Sequence, residues 1–205
     1  MMSDTTSKGA KVAVKVWIDF VCPYCLLGES IVDQATEGLD VDIEWMPFEL
    51  RPYPTPTLRP EDDYLPRAWE SGVYPTAARM GIPIKLPTVS PQPYTRDAFL
   101  GLQYAAEQGK GIEYADAVLK AFFQQDRDIG NLDVLRDIAN NLSLDLKGFE
   151  AALISKTRQE RHEAALEYAH KVGIRAVPSI AVGTKMYSGT PESSTLRAEI
   201  FAQSR

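Results

Sequence analysis

The hydrophobic pattern of the first fifty residues alternates between strand and helix periodicity. Ala13–Val21 is rich in Val, Ile and aromatic side chains, which predicts a mostly buried strand. Apolar residues then recur at helical spacing (Leu27, Ile31 and Ala35), and Val41–Phe48 alternates as a second strand. Such a β–α–β unit is expected to have parallel strands and a right-handed crossover.

The pattern changes at Glu49 and returns to β character near Val177. Proline-rich stretches and then helical spacing occupy most of the intervening chain, and Thr95 is a candidate helix cap there. Val177–Gly183 is strand-like, and a C-terminal helix follows, with Thr190 as its predicted cap. We therefore predict an α/β domain, formed by residues 13–52 and 173–205, that is interrupted by an all-helical insertion at residues 53–172. Residues 1–12 are predicted to be a disordered tail.

Composition narrows the class of protein. The chain has 205 residues, of which 44% are hydrophobic and 24% charged, so a packed core is expected. A formal net charge of −6 without a basic run disfavours nucleic-acid binding. The polar start resembles neither a secretory signal nor a membrane span, which favours a cytoplasmic protein without a membrane partner.

The two cysteines, Cys22 and Cys25, are three residues apart. A disulfide that closes so short a loop contributes little stability. The two cysteines therefore either have a chemical role or occur together by chance. A zinc site would need four ligands, and the only histidines, His162 and His170, lie far downstream and are not at the spacing of paired helical ligands. We therefore predict no metal, and we favour redox chemistry over two incidental core cysteines.

The position of the pair defines a role for each cysteine. Cysteines at i and i+3 on a first helical turn are close enough for a disulfide, and Pro23 suits the first helical position. The free N–H groups of a helix N-terminus favour a thiolate at Cys22, whereas Cys25 would lie one turn deeper. Cys22 is therefore the predicted attacking thiolate, and Cys25 the resolving thiol.

Four motifs together resemble one family, and one of them is Phe122-Phe123 followed by Asp128-Ile129. The segment Ile18–Gly28 (IDFVCPYCLLG), the segment Phe48–Pro52 (FELRP) and the segment Gly173–Ser179 (GIRAVPS) resemble the DsbA-like thioredoxin superfamily, most closely its cytoplasmic FrnE-type branch. That branch is related to 2-hydroxychromene-2-carboxylate isomerase and kappa-class glutathione transferase. The resemblance implies a thioredoxin-like fold with an inserted helical domain, and thiol–disulfide oxidoreductase activity.

The resemblance also implies a cis Val177–Pro178 bond in a loop that faces the cysteines, with the backbone at Val177 pairing with substrate. Taken alone, a proline at a strand start is the commoner explanation of Pro178. Pro23 and Tyr24, between the cysteines, complete the predicted substrate-binding set. Strongly oxidising relatives have Pro-His at these two positions, so the uncharged Tyr24 predicts a milder oxidant.

The same superfamily leaves alternatives open. Glutathione-dependent isomerases and transferases share the fold but typically have a serine where this chain has Cys22. A non-catalytic binding module is a third alternative. No cofactor is predicted, although glutathione is a candidate redox partner, and the expected substrates are disulfide- or thiol-bearing proteins or small thiols.

Four other polar residues carry weaker expectations. Asp19 is predicted mainly to cap or to hydrogen-bond, with proton transfer to Cys25 as an alternative. Glu49 is expected to pair with Arg51 or with solvent, and His162 is expected at the surface.

Overall fold

A computed structural model describes residues 11–204 of the chain. Within that range it contains a four-stranded sheet in the order β2-β1-β3-β4. Strand β1 pairs in parallel with β2 and antiparallel with β3, and β3 pairs antiparallel with β4. The strands are β1 (Val12–Ile18), β2 (Val41–Pro47), β3 (Ser179–Val182) and β4 (Lys185–Ser188).

Strand β1 is central and buried, and its limits differ from those predicted. It begins at Val12, opposite Val41, so the predicted tail is too long by that residue; the rest of the tail up to residue 10 lies outside the described residues. It ends at Ile18 rather than at Val21. The chain turns after Ile18, where the Cys22 N–H donates to the Asp19 carbonyl at 3.0 Å. This turn places Cys22 just beyond the carboxyl end of the central strand β1, where helix α1 begins.

Helix α1 (Pro23–Thr36) completes the β–α–β unit. Pro23 occupies the start of the helix, where its missing N–H leaves no bond unmade. The helix ends just before Gly38, which has a left-handed φ of +72°. Helix α9 (Ser193–Gln203) packs beside α1, but it begins after Glu192, so the cap predicted at Thr190 is wrong.

A helical segment lies between β2 and β3, as the predicted fold class requires. Its helices enclose aromatic residues, and the Phe20 and Phe99 rings, 4.6 Å apart, join this core to the end of β1. No helix of residues 11–204 is long and apolar enough to cross a membrane. The segment contains α2 (Tyr64–Ala68), a π-helical turn (Trp69–Val73), α3 (Tyr74–Met80), α4 (Arg96–Glu107), α5 (Gly111–Phe123), α6 (Leu132–Asn141), α7 (Leu146–Leu153) and α8 (Lys156–Lys171).

Candidate active site

The two cysteines lie at the start of α1 in different environments. Cys22 is the N-cap residue, with φ of −93° and ψ of 113°, and no side chain caps the helix there. It is 6% exposed, whereas Cys25 is completely buried one turn further along. Both are free thiols, so the structure represents the dithiol state. Any reagent must therefore reach Cys22 first.

Cys25 is held as a neutral thiol by its surroundings. Burial raises the pKa of the Cys25 thiol well above its ordinary value, and the neighbouring Cys22 side chain raises it further. The Asp19 N–H donates to Cys25 Sγ at 3.4 Å, which opposes this effect. Cys25 therefore keeps its proton until the charge on Cys22 or Asp19 changes.

The loop before β3 faces Cys22. The Val177–Pro178 peptide bond is cis, and Cys22 Sγ donates to the Val177 carbonyl oxygen at 3.4 Å. The Gly189 N–H donates to the Pro178 carbonyl at 2.8 Å, which ties this loop to the end of β4. The proline ring packs on Gly28 of α1, where an added Cβ would lie only 2.8 Å from Pro178 Cγ. The glycine thus allows the loop to approach the cysteines closely.

Asp19 lies behind the cysteine pair as a buried carboxyl group. It is 1% exposed, and its Oδ2 accepts from the Leu50 N–H at 2.7 Å. Its Oδ1 accepts from the Thr95 hydroxyl at 2.8 Å. Burial raises the pKa of Asp19 to about 6, although both hydrogen bonds favour the charged form. The hydrogen-bonding role predicted for Asp19 is present, but Thr95, at the predicted cap of α4, bonds to Asp19 and does not cap the helix with its side chain.

A cavity of about 240 Å³ opens beside Cys22, between the sheet domain and the helical segment. Tyr24 and Pro23 line it on the cysteine side. Apolar side chains of the helical segment line the other side, and the Gln92 side chain also faces the cavity. Its lining includes Leu58, Leu65, Trp69 and Val73.

Tyr24 connects the cysteine motif to the helical segment. An added Cβ on Gly72, in the π-helical turn, would lie 2.6 Å from Tyr24 Oη. The tyrosine ring thus abuts the backbone of the turn at a point where only glycine leaves room. The wall of the cavity is therefore fixed directly against the dipeptide between the cysteines.

The expectations that Glu49 pairs with Arg51 or with solvent, and that His162 lies at the surface, are corrected. Glu49 Oε1 lies 2.5 Å from His162 Nε2, and both side chains are almost completely buried. His162 is 1% exposed and stacks on Phe99, so it is not a surface residue. Arg51 instead donates to the Pro56 carbonyl at 3.1 Å. The Glu49–His162 pair fixes helix α8 to the loop whose Leu50 N–H bonds to Asp19.

Sequence reasoning did not identify Gln92, Thr95 or Gly72 as site residues. Gln92 and Thr95 flank Pro93 in a proline-rich stretch, and only the folded chain places them beside Asp19 and Cys22. The one local sign of a role for Gln92 and Thr95 is that they are polar residues between apolar ones in a segment with few charges. The predicted Pro23, Tyr24, Val177 and Pro178 do meet around Cys22.

A CxxC dithiol at the start of the first helix of such a sheet, opposite a cis-proline loop, is the arrangement of a thioredoxin-fold protein. Residues 13–201 match the family described as the DSBA-like thioredoxin domain. The chain belongs to this DsbA-like family. It is 42% identical over 180 residues to the uncharacterized protein YwbO of Bacillus subtilis (strain 168), an alignment that covers 87% of this chain and 90% of that protein.

Solved structures that share the fold include two at low sequence identity. A 2-hydroxychromene-2-carboxylate isomerase superposes with a TM-score of 0.76 and 17% identity, covering 93% of this chain and 95% of that one. The cytosolic disulfide reductase DsbM of Pseudomonas aeruginosa, solved with GSH, superposes with a TM-score of 0.73 and 14% identity, covering 93% and 98%. The architecture is thus shared by proteins with different reactions.

Proposed function

We propose that this protein is a thiol–disulfide oxidoreductase in which Cys22 attacks and Cys25 resolves. The observation that supports this most directly is the asymmetry of the pair. Cys22 borders a cavity at an uncapped helix N-terminus, and Cys25 lies buried behind it. Helix N–H groups without partners favour an anion at the first position.

The reaction proceeds by two exchanges. The Cys22 thiolate attacks one sulfur of a substrate disulfide, and the substrate S–S bond breaks as a mixed disulfide forms. The first leaving thiolate takes up a proton. Cys25 then loses its proton and attacks Cys22 Sγ, which releases the second substrate thiol. The protein dithiol is oxidised by two electrons and the substrate disulfide is reduced; the reverse sequence oxidises a substrate dithiol.

The residues around Cys22 have supporting roles in this proposal. The backbone at Val177 and the ring of Pro178 form the loop against which substrate pairs, and Pro23 and Tyr24 border the approach to the sulfur. Asp19 acts through its N–H bond to Cys25 Sγ and through its charge. We further propose a cytoplasmic setting with glutathione as a redox partner, supported by the likeness to the cytosolic reductase solved with GSH.

The test is intact mass after equilibration with reduced and oxidised glutathione at set ratios, with free thiols alkylated. We expect a reversible loss of two protons in the wild-type protein. In Cys25→Ser we expect a persistent glutathione adduct on Cys22, and in Cys22→Ser no adduct under the same conditions. Two thiols that never oxidise would refute the proposal and favour a binding module. A wild-type adduct that never resolves would favour the glutathione-dependent isomerase.

A further inference from the structure

The cavity beside Cys22 has one feature that the exchange reaction does not use. Gln92 is only 5% exposed, yet its side-chain amide makes no hydrogen bond to any of residues 11–204. Its backbone N–H donates to the Leu58 carbonyl at 2.8 Å, so the residue is held in place where it lines the cavity. Most polar side chains at this depth are hydrogen-bonded within the protein, so an amide without such a bond is available to a ligand.

The remaining wall of the cavity is mainly apolar. The indole of Trp69 and the side chains of Leu65 and Val73 are buried there, and Leu58 is half-buried. Asp19 and Arg51 also line the cavity, but no acidic or basic side chain from α2 onwards does so. An apolar group that enters it removes apolar surface from water and gains about 25 cal/mol for each Å² buried. The Gln92 amide then offers a hydrogen bond to a polar substituent on that group.

The size of the cavity limits its occupant. A volume of about 240 Å³ is smaller than the several hundred Å³ of pockets that enclose drug-sized ligands. It holds a group about the size of a substituted benzene ring, but no segment of folded polypeptide. Because Tyr24 abuts Gly72, the far wall is held against the cysteine motif and the cavity is already present in the dithiol state.

We infer that the substrate is a small organic disulfide whose sulfur bears an aromatic or similarly compact apolar group, bound between Trp69 and Gln92 while Cys22 attacks. This inference rests on the proposed function and specifies its substrate class. Cys22 forms a mixed disulfide with the apolar thiol and the other half leaves as a thiol. Cys25 then forms the protein disulfide and releases the apolar thiol, so two electrons pass from the dithiol to the substrate.

The experiment compares matched disulfides with the reduced protein. Mixed disulfides of 2-mercaptoethanol with benzyl thiol and with 4-carbamoylbenzyl thiol are tested against bis(2-hydroxyethyl) disulfide, with insulin as a protein disulfide. Loss of the two thiols is followed by rapid quenching, alkylation and intact mass. Each second-order rate constant is divided by that of free glutathione with the same disulfide, so that intrinsic reactivity cancels.

We expect the benzyl disulfide to react at least tenfold faster than the hydroxyethyl disulfide on this scale, with a further gain from the carbamoyl substituent. Val73→Phe, which fills the cavity, lowers the normalised benzyl rate to the hydroxyethyl rate. Leu58→Phe gives the same result from a loop position if the first variant does not fold. Gln92→Leu removes only the additional rate that the carbamoyl substituent gives. Gln103 lies outside this cavity, so the control Gln103→Leu changes neither the benzyl preference nor the effect of the carbamoyl substituent.

Three results would overturn the inference. Equal normalised rates for all the small disulfides, or a benzyl preference that survives both cavity-filling variants, would show that the cavity is not a substrate subsite. Insulin reacting faster than every small disulfide would assign the dithiol to protein substrates. In each of these cases the dithiol still oxidises and the proposed function stands. A dithiol that no disulfide oxidises would instead refute the proposed function itself.

Discussion

Replacing Asp19 with asparagine tests the electrostatics behind the cysteine pair. Burial raises the pKa of Asp19 from its ordinary value of 3.8 to about 6. Between these two pH values the folded protein keeps a proton that the unfolded chain has released. The free energy of unfolding therefore falls as pH rises through this window, and the loss is complete above pH 6.

The size of the effect follows from the two pKa values. At about 1.4 kcal/mol for each pKa unit, the change from 3.8 to about 6 amounts to about 3 kcal/mol. Asparagine removes the charge and keeps both contacts. Its oxygen accepts from the Leu50 N–H, and its NH₂ donates to the Thr95 hydroxyl, which rotates to accept. We therefore expect Asp19→Asn to be up to about 3 kcal/mol more stable than the wild type above pH 6, and to have no advantage below pH 3.8.

The assay is urea-induced unfolding of the fully reduced protein at intervals from pH 3.5 to pH 8. The informative quantity is the stability difference between Asp19→Asn and the wild type at each pH. Asp42→Asn, at an exposed position of β2, is the matched control, and we expect its difference to stay flat. A difference for Asp19→Asn that does not rise with pH, or a variant that is less stable than the wild type at pH 7.5, would contradict the reasoning.

Three further substitutions test other contacts. Gly28→Ala places a methyl group 2.8 Å from Pro178 Cγ, so we expect a loss of about 1–3 kcal/mol in urea unfolding; unchanged stability would contradict the close packing. His162→Leu leaves Glu49 buried without its partner, at a cost of about 1–3 kcal/mol, and adding Glu49→Leu is expected to restore part of that loss. If the double variant is no more stable than His162→Leu, the pair does not act together. Tyr24→His adds a positive charge beside the attacking thiolate, and we expect glutathione titration to give a reduction potential raised by about 30 mV or more; a lower potential would count against the milder-oxidant prediction.

The opening of the fold was predictable because its signals are local. An apolar run of β-branched residues, a proline at the first helical position and helical spacing after it define β1 and α1 within 25 residues. The predicted end of β1 is three residues too late because Phe20 and Val21 continue the apolar pattern into the turn. Phe20 is buried there by packing on Phe99, a residue of the helical segment that local pattern cannot place.

The polar interior of the site could not be predicted for the same reason. His162 is surrounded in sequence by charged residues, which indicate a solvated helix face, and yet it is buried against Glu49. Thr95 has the sequence context of a helix cap and instead donates to Asp19. Each of these contacts joins residues at least 76 positions apart, so the identity of the partner depends on the tertiary fold and not on the local sequence.

The contact between Tyr24 and Gly72 has a consequence for attempts to retune the protein. In a thioredoxin-type site the dipeptide between the cysteines is an obvious position at which to engineer redox potential. Here a bulkier side chain at position 24 collides with the π-helical turn, and a smaller one leaves a gap at the wall of the cavity. Potential and substrate preference are therefore expected to change together, and a mutant library would have to randomise positions 24 and 72 as a pair.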